Sequence, residues 1–377
     1  MSVSHLWLGL LSSLIVFIVC LTGSIYAFKT QIENFVNKDF VYTSSPSPKK
    51  VSVDSIIFQF EKQYGSATRL EIYPEKDRSL LVSSFSRENP GVTAYFDPYS
   101  GEFLGLTNPT LEGFLEFILE LHRFLLAGDL GKLINGIAVL IMVYMLFSGL
   151  ILWLPKKIKK LGSRMMIRWK ARFYRLNYDL HSVLGFWSIL LLFFMAVTGL
   201  YVSFTWVKNT VIVGLGGDSI IISENNLALK KSLASDFNSL LKGLSEEGNG
   251  SEDDTYSLDE ILAASDSTLG YQGTTLIYLP NETIKSLNLS RIRNDNRVGF
   301  YVPDQLEFSS QGKLRKTTRF YNQPLHEQFK LIAKPLHTGE IMGLPSIVLY
   351  FIVSTIGCSL PITGFIIWWK KNKKGLA

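Results

Sequence analysis

LHRFLLAGDLGKLINGIAVLIMVYMLFSGLILWLPKK, residues 121–157, sets a histidine ahead of an apolar run and closes on Ser148-Gly149, Trp153 and a lysine pair. The layout returns late in the chain as LHTGEIMGLPSIVLYFIVSTIGCSLPITGFIIWWKK, residues 336–371. The two align without a gap. His122 to Gly149 and His337 to Gly364 are both 27 residues, and His122 to Trp153 and His337 to Trp368 are both 31. An ungapped internal repeat that carries a histidine demands explanation first.

A second register matches independently. His5 precedes Gly9 by four residues and Thr22-Gly23 by 17. His181 precedes Gly185 by four and Thr198-Gly199 by 17. Between the matched spans, Val53-Asp54-Ser-Ile-Ile is similar to Leu258-Asp259-Glu-Ile-Leu. The chain reads as two copies of span, outer domain, span. Both copies have the same orientation, so the repeat axis should lie along the membrane normal.

Residues 6–28 run without a charge, long enough to cross about 30 Å of hydrocarbon. No Lys or Arg precedes the run and no Ala-x-Ala site follows, so it is expected to be a retained span rather than a signal peptide. Further spans are expected at 133–154, 183–207 and 344–369. The stretch 155–175 holds Lys156, Lys157, Lys159, Lys160, Arg164, Arg168, Lys170, Arg172 and Arg175 and no acid, and Lys370, Lys371, Lys373 and Lys374 follow the last span. Cytoplasmic loops collect such charge, so both termini should be cytoplasmic. The divisions expected are 1–28 span, 29–120 outer domain, 121–154 span, 155–180 basic loop, 181–207 span, 208–336 second outer domain, 337–369 span and 370–377 tail.

The composition agrees: 47% of 377 residues are hydrophobic and the mean hydropathy is +0.19, moderate enough for large soluble parts beside the spans. The net charge of +6 gathers in two runs beside spans, which excludes a nucleic-acid face as its cause. Cys20 and Cys358 both lie in spans and offer no disulfide framework. In the first outer domain, Ser52 or Asp54 should cap a helix after a linker at 44–48, with strands at 69–73, 79–84 and 92–96. In the second, an acidic stretch at 245–254 reads as disordered, and strands fall at 274–279, 287–293 and 298–302.

Four of the five histidines sit at repeat-equivalent places: His5 and His181 at the cytoplasmic face, His122 and His337 at the outer face. One interfacial histidine is ordinary; four in register point to ligation. Zinc or copper would want further donors, and no Cys, Met or acid recurs beside them. Two neutral imidazoles suit a b-type haem, and the absence of Cys-x-x-Cys-His excludes c-type attachment. Two b-type haems follow, an inner one on His5 and His181 and an outer one on His122 and His337, making a wire across the membrane. Gly9 and Gly185, one turn from their histidines, leave room for a porphyrin or serve close helix packing. Arg123 and the 164–175 cluster suit propionates or lipid phosphates. His326 has no repeat partner and reads as a surface residue.

These features resemble the PepSY-associated transmembrane family. The matching residues are His5 with Leu-Trp-Leu-Gly, His122-Arg123, His181 with Leu184-Gly185, the Thr-Gly and Ser-Gly pairs, Leu336-His337, and Tyr95-Phe-Asp-Pro-Tyr-Ser-Gly-Glu102 as a PepSY closing strand and turn. The second outer domain departs at Phe308-Ser-Ser-Gln-Gly312-Lys, which lacks the Asp-Pro. The resemblance implies a four-helix transmembrane bundle in the bacterial inner membrane with two periplasmic α+β (PepSY-like) domains. It implies a haem-dependent oxidoreductase that takes electrons from a cytoplasmic or quinol donor and reduces ferric siderophore iron to Fe(II) in the periplasm. Two other functions fit the residues: a di-haem carrier serving quinone or a periplasmic redox partner, and a haem-free membrane-anchored interaction module.

Overall fold

The structure is a computed structural model that describes residues 3–43, 46–85, 91–157, 159, 161–219, 256–280, 286–293, 300–309 and 311–374. The acidic stretch 245–254 lies outside them. The helices in chain order are α1 (Val3–Tyr26), α2 (Lys29–Val36), α3 (Lys38–Val41), α4 (Val53–Tyr64), α5 (Pro109–Phe124), α6 (Gly128–Trp153), α7 (Leu161–Arg164), α8 (Phe173–Asp179), α9 (Gly185–Ser203), α10 (Thr205–Gly214), α11 (Leu258–Leu269), α12 (Leu325–Thr338) and α13 (Leu344–Lys374). The strands are β1 (Arg69–Ile72), β2 (Leu80–Ser84), β3 (Val92–Phe96), β4 (Phe103–Leu106), β5 (Thr274–Tyr278), β6 (Leu287–Ile292), β7 (Pro303–Phe308) and β8 (Leu314–Thr318). They form two compact units: Met1–Val36, Pro109–Thr205 and Ile332–Ala377 make a helical unit, and Asn37–Asn108 with Trp206–Leu331 make a sheet unit.

Four helices of the first unit are long and apolar enough to cross a membrane: Val3–Tyr26, Gly128–Trp153, Phe173–Ser203 and Leu344–Asn372. Even the shortest, with 24 residues, reaches about 36 Å at 1.5 Å per residue. In α1 the residues Val3, Trp7, Leu11 and Leu14 recur at helical spacing and stand exposed, while Ser12, Thr22 and Ser24 are buried. Small polar residues between helices and large apolar ones outside is the pattern a lipid environment selects.

The sequence places His122 and His337 at the heads of their spans. They belong instead to separate helices, α5 and α12, that precede α6 and α13. Between α5 and α6 the chain turns through Leu125 (φ 49°), Leu126 (φ 58°) and Gly128 (φ 54°). Two consecutive leucines in the left-handed region cost strain of order 1–3 kcal/mol each. No local sequence signal announces such a corner.

In the sheet unit the two outer segments do not form separate modules. Their strands join one eight-stranded sheet in the order β4-β3-β2-β1-β5-β6-β7-β8, with β1 antiparallel to β5 and Leu70 opposite Ile277. Apolar residues of α4 (Val53, Ile56, Ile57, Phe60) and α11 (Leu258, Ile261, Leu269) fall at helical spacing and pack on the strands in a single core with Leu70, Val82, Phe96, Leu289, Leu306 and Phe308. Neither half could bury its helix face alone as fully, so joining them removes more apolar surface from water.

The halves correspond closely. Both outer strand pairs carry a register shift beside the last phenylalanine, at Tyr95/Phe96 and at Glu307/Phe308. The Asp54 side chain accepts from the Leu258 N–H at 3.0 Å and the Ser257 hydroxyl at 2.8 Å. Asp259 accepts from the Val53 N–H at 3.1 Å. Each helix is thus capped by the other helix's acid, not by its own Ser52 or Asp54 as the sequence suggests. After β3, Asp97 accepts from the Tyr99 and Ser100 N–H groups at 2.7 and 3.2 Å. After β7, Ser309 does the same work for Gln311 and Lys313, both at 3.2 Å. The missing Asp-Pro therefore changes the chemistry of that turn but not its architecture. Of the strand expected at 298–302, residues 298 and 299 lie outside the described residues and 300–302 are not in a strand, which starts at Pro303; β4 and β8 are strands the sequence analysis does not identify.

Candidate functional site

Each of the four repeat-related histidines rests on a glycine preceded by a hydroxyl residue, on a different helix. His5 of α1 lies on Ser148-Gly149 of α6, and His122 of α5 lies on Thr22-Gly23 of α1. His181 lies on Thr363-Gly364 of α13, and His337 of α12 lies on Thr198-Gly199 of α9. A Cβ on these glycines would stand 3.3 Å (Gly149), 3.1 Å (Gly23), 3.3 Å (Gly364) and 2.8 Å (Gly199) from the imidazole Cε1. At Gly199 a side chain would force the imidazole to shift, and at the other three it would leave a contact tighter than ordinary van der Waals distance.

The hydrogen bonds assign the protons. Thr22, Thr198 and Thr363 donate their hydroxyls to Ile18 O (2.7 Å), Phe194 O (2.7 Å) and Ser359 O (2.8 Å) of their own helices, and Ser148 donates to Met145 O at 3.3 Å. Their oxygens are then acceptors for the imidazole Nδ1–H, at 2.8 Å for His5, 2.9 Å for His181 and 3.2 Å for both His122 and His337. At His122 and His337 the Nδ1 also stands 3.0 Å from Val19 O and Met195 O. A carbonyl can only accept. His122 and His337 therefore carry the proton on Nδ1 and keep the Nε2 lone pair, the tautomer a metal-ligating histidine requires, and the hydroxyls beside His5 and His181 are placed to accept from the same tautomer.

The structure brings the histidines together in two pairs. The rings of His122 and His337 have centroids 6.1 Å apart at an interplanar angle of 48°. His5 and His181 line one cavity of about 210 Å³, together with Gly9, Gly185, Trp153 and Phe186. His181 sits in a single π-helical turn, Leu180–Leu184, a feature that recurs at functional sites. Trp153 stacks on Phe186 at 3.8 Å, and its indole N–H is buried with no hydrogen-bond partner among the described residues. Among those residues no cluster of three or more His, Cys, Asp or Glu is arranged to hold a metal ion. Donors come in twos.

The hydroxyl–glycine cradles are what sequence reasoning missed. The Thr-Gly and Ser-Gly pairs were visible as repeat markers, and their 17- and 27-residue registers to a histidine were the available signal. The 17-residue registers run along one span and the 27-residue registers join consecutive helices, whereas each histidine touches the hydroxyl–glycine pair of the other register. His326, read from the sequence as a surface residue, is partly buried instead: its ring packs on Gly217 and stands 3.5 Å from Glu327.

Four helices long and apolar enough to cross a membrane define a multi-pass membrane protein. The chain matches the model of the PepSY-associated TM region over residues 3–371, and it belongs to that family. No curated protein matches it with significance.

Proposed function

We propose that the chain is a two-haem reductase of the bacterial inner membrane that passes electrons outward and reduces ferric siderophore iron to Fe(II) in the periplasm. His5 and His181 would hold the inner b-type haem, and His122 and His337 the outer. The observation that carries the reading is the 6.1 Å between the rings of His122 and His337. Two imidazoles sharing one metal at the usual nitrogen–metal distance of about 2 Å have centroids about 6 Å apart. The pinned Nδ1 atoms, the spare Nε2 lone pairs and the lack of a third donor among the described residues fit ligation by two histidines. Bound there, a bis-histidine haem supplies one-electron transfer and has no open position for oxygen.

The chain's own residues prepare those sites. The hydroxyls and carbonyls orient the imidazoles and raise their basicity. The glycines bring the rings against the helices, and the mainly apolar wall of the inner cavity keeps water out. The buried Trp153 N–H offers a donor to an acidic group of a bound cofactor. The basic loop at 155–175 supports a cytoplasmic position for the inner pair and, on the reading of two outer segments, a periplasmic one for the sheet unit. The palindromic strand order and the exchange of Asp54 and Asp259 support an internal two-fold repeat of span, outer segment, span. A cytoplasmic or quinol donor would supply electrons at the inner pair.

Stopped-flow mixing tests the activity. Dithionite-reduced protein should be reoxidised by ferric siderophore, with Fe(II) captured by a chromogenic chelator. Failure to reoxidise would exclude the reductase and leave quinone or a periplasmic protein as acceptor.

A further inference from the structure

Beside the outer histidine site lie two groups for which electron transfer has no use. Cys20 of α1 and Cys358 of α13 are both buried free thiols. They come from opposite ends of the chain, yet their side chains interact directly. Gly357 makes the approach possible. A Cβ there would stand 2.8 Å from Cys20 Sγ and 3.6 Å from Cys20 Cβ. The Cys358 thiol faces α1, 3.8 Å from the carbonyl of Phe17, and the Ser354 hydroxyl donates to Cys20 O at 2.7 Å. A disulfide needs Cβ atoms about 3.5–4.5 Å apart, and two helices in contact at a glycine approach on that scale.

Packing does not explain the sulfurs. Cys20 follows His5 by 15 residues as Ala196 follows His181, and Cys358 follows His337 by 21 as Val143 follows His122. The corresponding places of the two registers therefore carry Ala and Val, and Met142 stands where Gly357 makes room. A buried thiol fills space like a small apolar group, so what sets Cys apart from Ala or Val is its reactivity.

We infer that Cys20 and Cys358 are a redox pair, which hydrogen peroxide closes into a disulfide joining α1 to α13. Peroxide is uncharged and small enough to enter a packed bundle. One thiol attacks it: an S–O bond forms, the O–O bond breaks, and the thiol proton leaves with the departing oxygen as water, giving a sulfenic acid. The second thiol displaces that hydroxyl: the S–S bond forms, the S–O bond breaks, and the second proton leaves in a second water. Two electrons pass from sulfur to peroxide, and no charge stays behind in the membrane. The new bond falls next to the cradle of His122. Val19, whose carbonyl holds His122 Nδ1, directly precedes Cys20, and Gly23 beneath the His122 ring follows it by three residues. His5 lies 15 residues away on α1, about 22 Å at 1.5 Å per residue. Closure therefore acts on the outer pair and spares the inner one.

The test is prolonged treatment of the full-length protein in zwitterionic nanodiscs with hydrogen peroxide, since buried thiols react slowly. Denaturing alkylation and peptide mass spectrometry follow. Wild type should pass from two alkylatable thiols per chain to none, with a Cys20–Cys358 cross-linked peptide that dithiothreitol splits. Cys20→Ala and Cys358→Val, which copy the residues of the other registers, should each stop at a sulfenic acid that dimedone traps. Thiols that stay alkylatable, oxidation to sulfonic acid with no cross-linked peptide, or cross-links between chains alone overturn the pair. Resting on the two-haem reading, closure should also shift the reduction potential of the haem lost in His122→Ala. The double variant Cys20→Ala/Cys358→Val should show no such shift. A closed disulfide with both potentials unmoved overturns the coupling to His122. Protein that closes the disulfide but holds no haem defeats the two-haem reading and supports the redox pair.

Discussion

His122 and His337 face each other with ring centroids 6.1 Å apart, and each turns its Nδ1 to a carbonyl one helical turn before the glycine beneath it. Val19 precedes Gly23 as Met195 precedes Gly199. Each ring of this pair is therefore held twice over, by a carbonyl and a hydroxyl, His122 by α1 and His337 by α9.

The glycines should not be equally sensitive. A Cβ at Gly199 would press to 2.8 Å from His337, while one at Gly364 would stop 3.3 Å from His181. Gly199→Ala should displace His337 and cost most of the outer haem, whereas Gly364→Ala should lose little of the inner one. Haem per chain in the two purified variants is the measurement.

The hydroxyls should differ in the same way. Ser148→Ala removes the hydroxyl that holds His5 Nδ1, while Thr22→Val leaves His122 with Val19 O. Loss of an outer-shell partner typically costs 10–100-fold in metal affinity. Ser148→Ala should reach about that range in a haem-transfer assay, and Thr22→Val should fall short of it.

The exchanged caps predict an asymmetry in stability. Asp54 accepts from Leu258 N–H and the Ser257 hydroxyl, and Asp259 accepts from Val53 N–H alone. Asp54→Ala should cost about 1–2 kcal/mol and Asp259→Ala nearer 0.5–1 kcal/mol, the span known for helix caps. Denaturant unfolding of the sheet unit within the full-length protein provides the values.

Much of this was legible because lipid and repetition write strong patterns. The spans follow from charge-free runs, three of them beside a basic stretch, and the histidine quartet from two registers that repeat without a gap. The joined sheet was not legible, since nothing in Leu70 or Ile277 says which strand lies opposite. Nor were the crossed caps: Asp54 sits where its own helix would use it, and only the packing of α4 beside α11 redirects it to Leu258. The α5–α6 corner rests on Leu125 and Leu126 in a conformation that leucine rarely adopts, so propensity argued against it.

Acid should weaken the first half through Asp97. Burial raises its carboxyl, but hydrogen bonds from Thr43, Tyr99 N–H and Ser100 N–H outweigh this and leave it below the ordinary value of 3.8. A carboxyl lowered on folding stabilises fully above its unfolded pKa and loses that contribution as pH falls through its folded one. Wild type should therefore lose stability below about pH 4, and Asp97→Asn should lose less over that interval from a lower start. Unfolding midpoints between pH 3 and 7 would record it; parallel curves would contradict the assignment.

Haem stoichiometry with single histidine replacements tests the central claim most directly. Wild type purified with adequate haem supply should show a b-type spectrum and two haems per chain. His5→Ala or His181→Ala should each remove one haem, and His122→Ala or His337→Ala the other. A chain that binds no haem, or in which partners of one pair deplete different haems, would contradict the account.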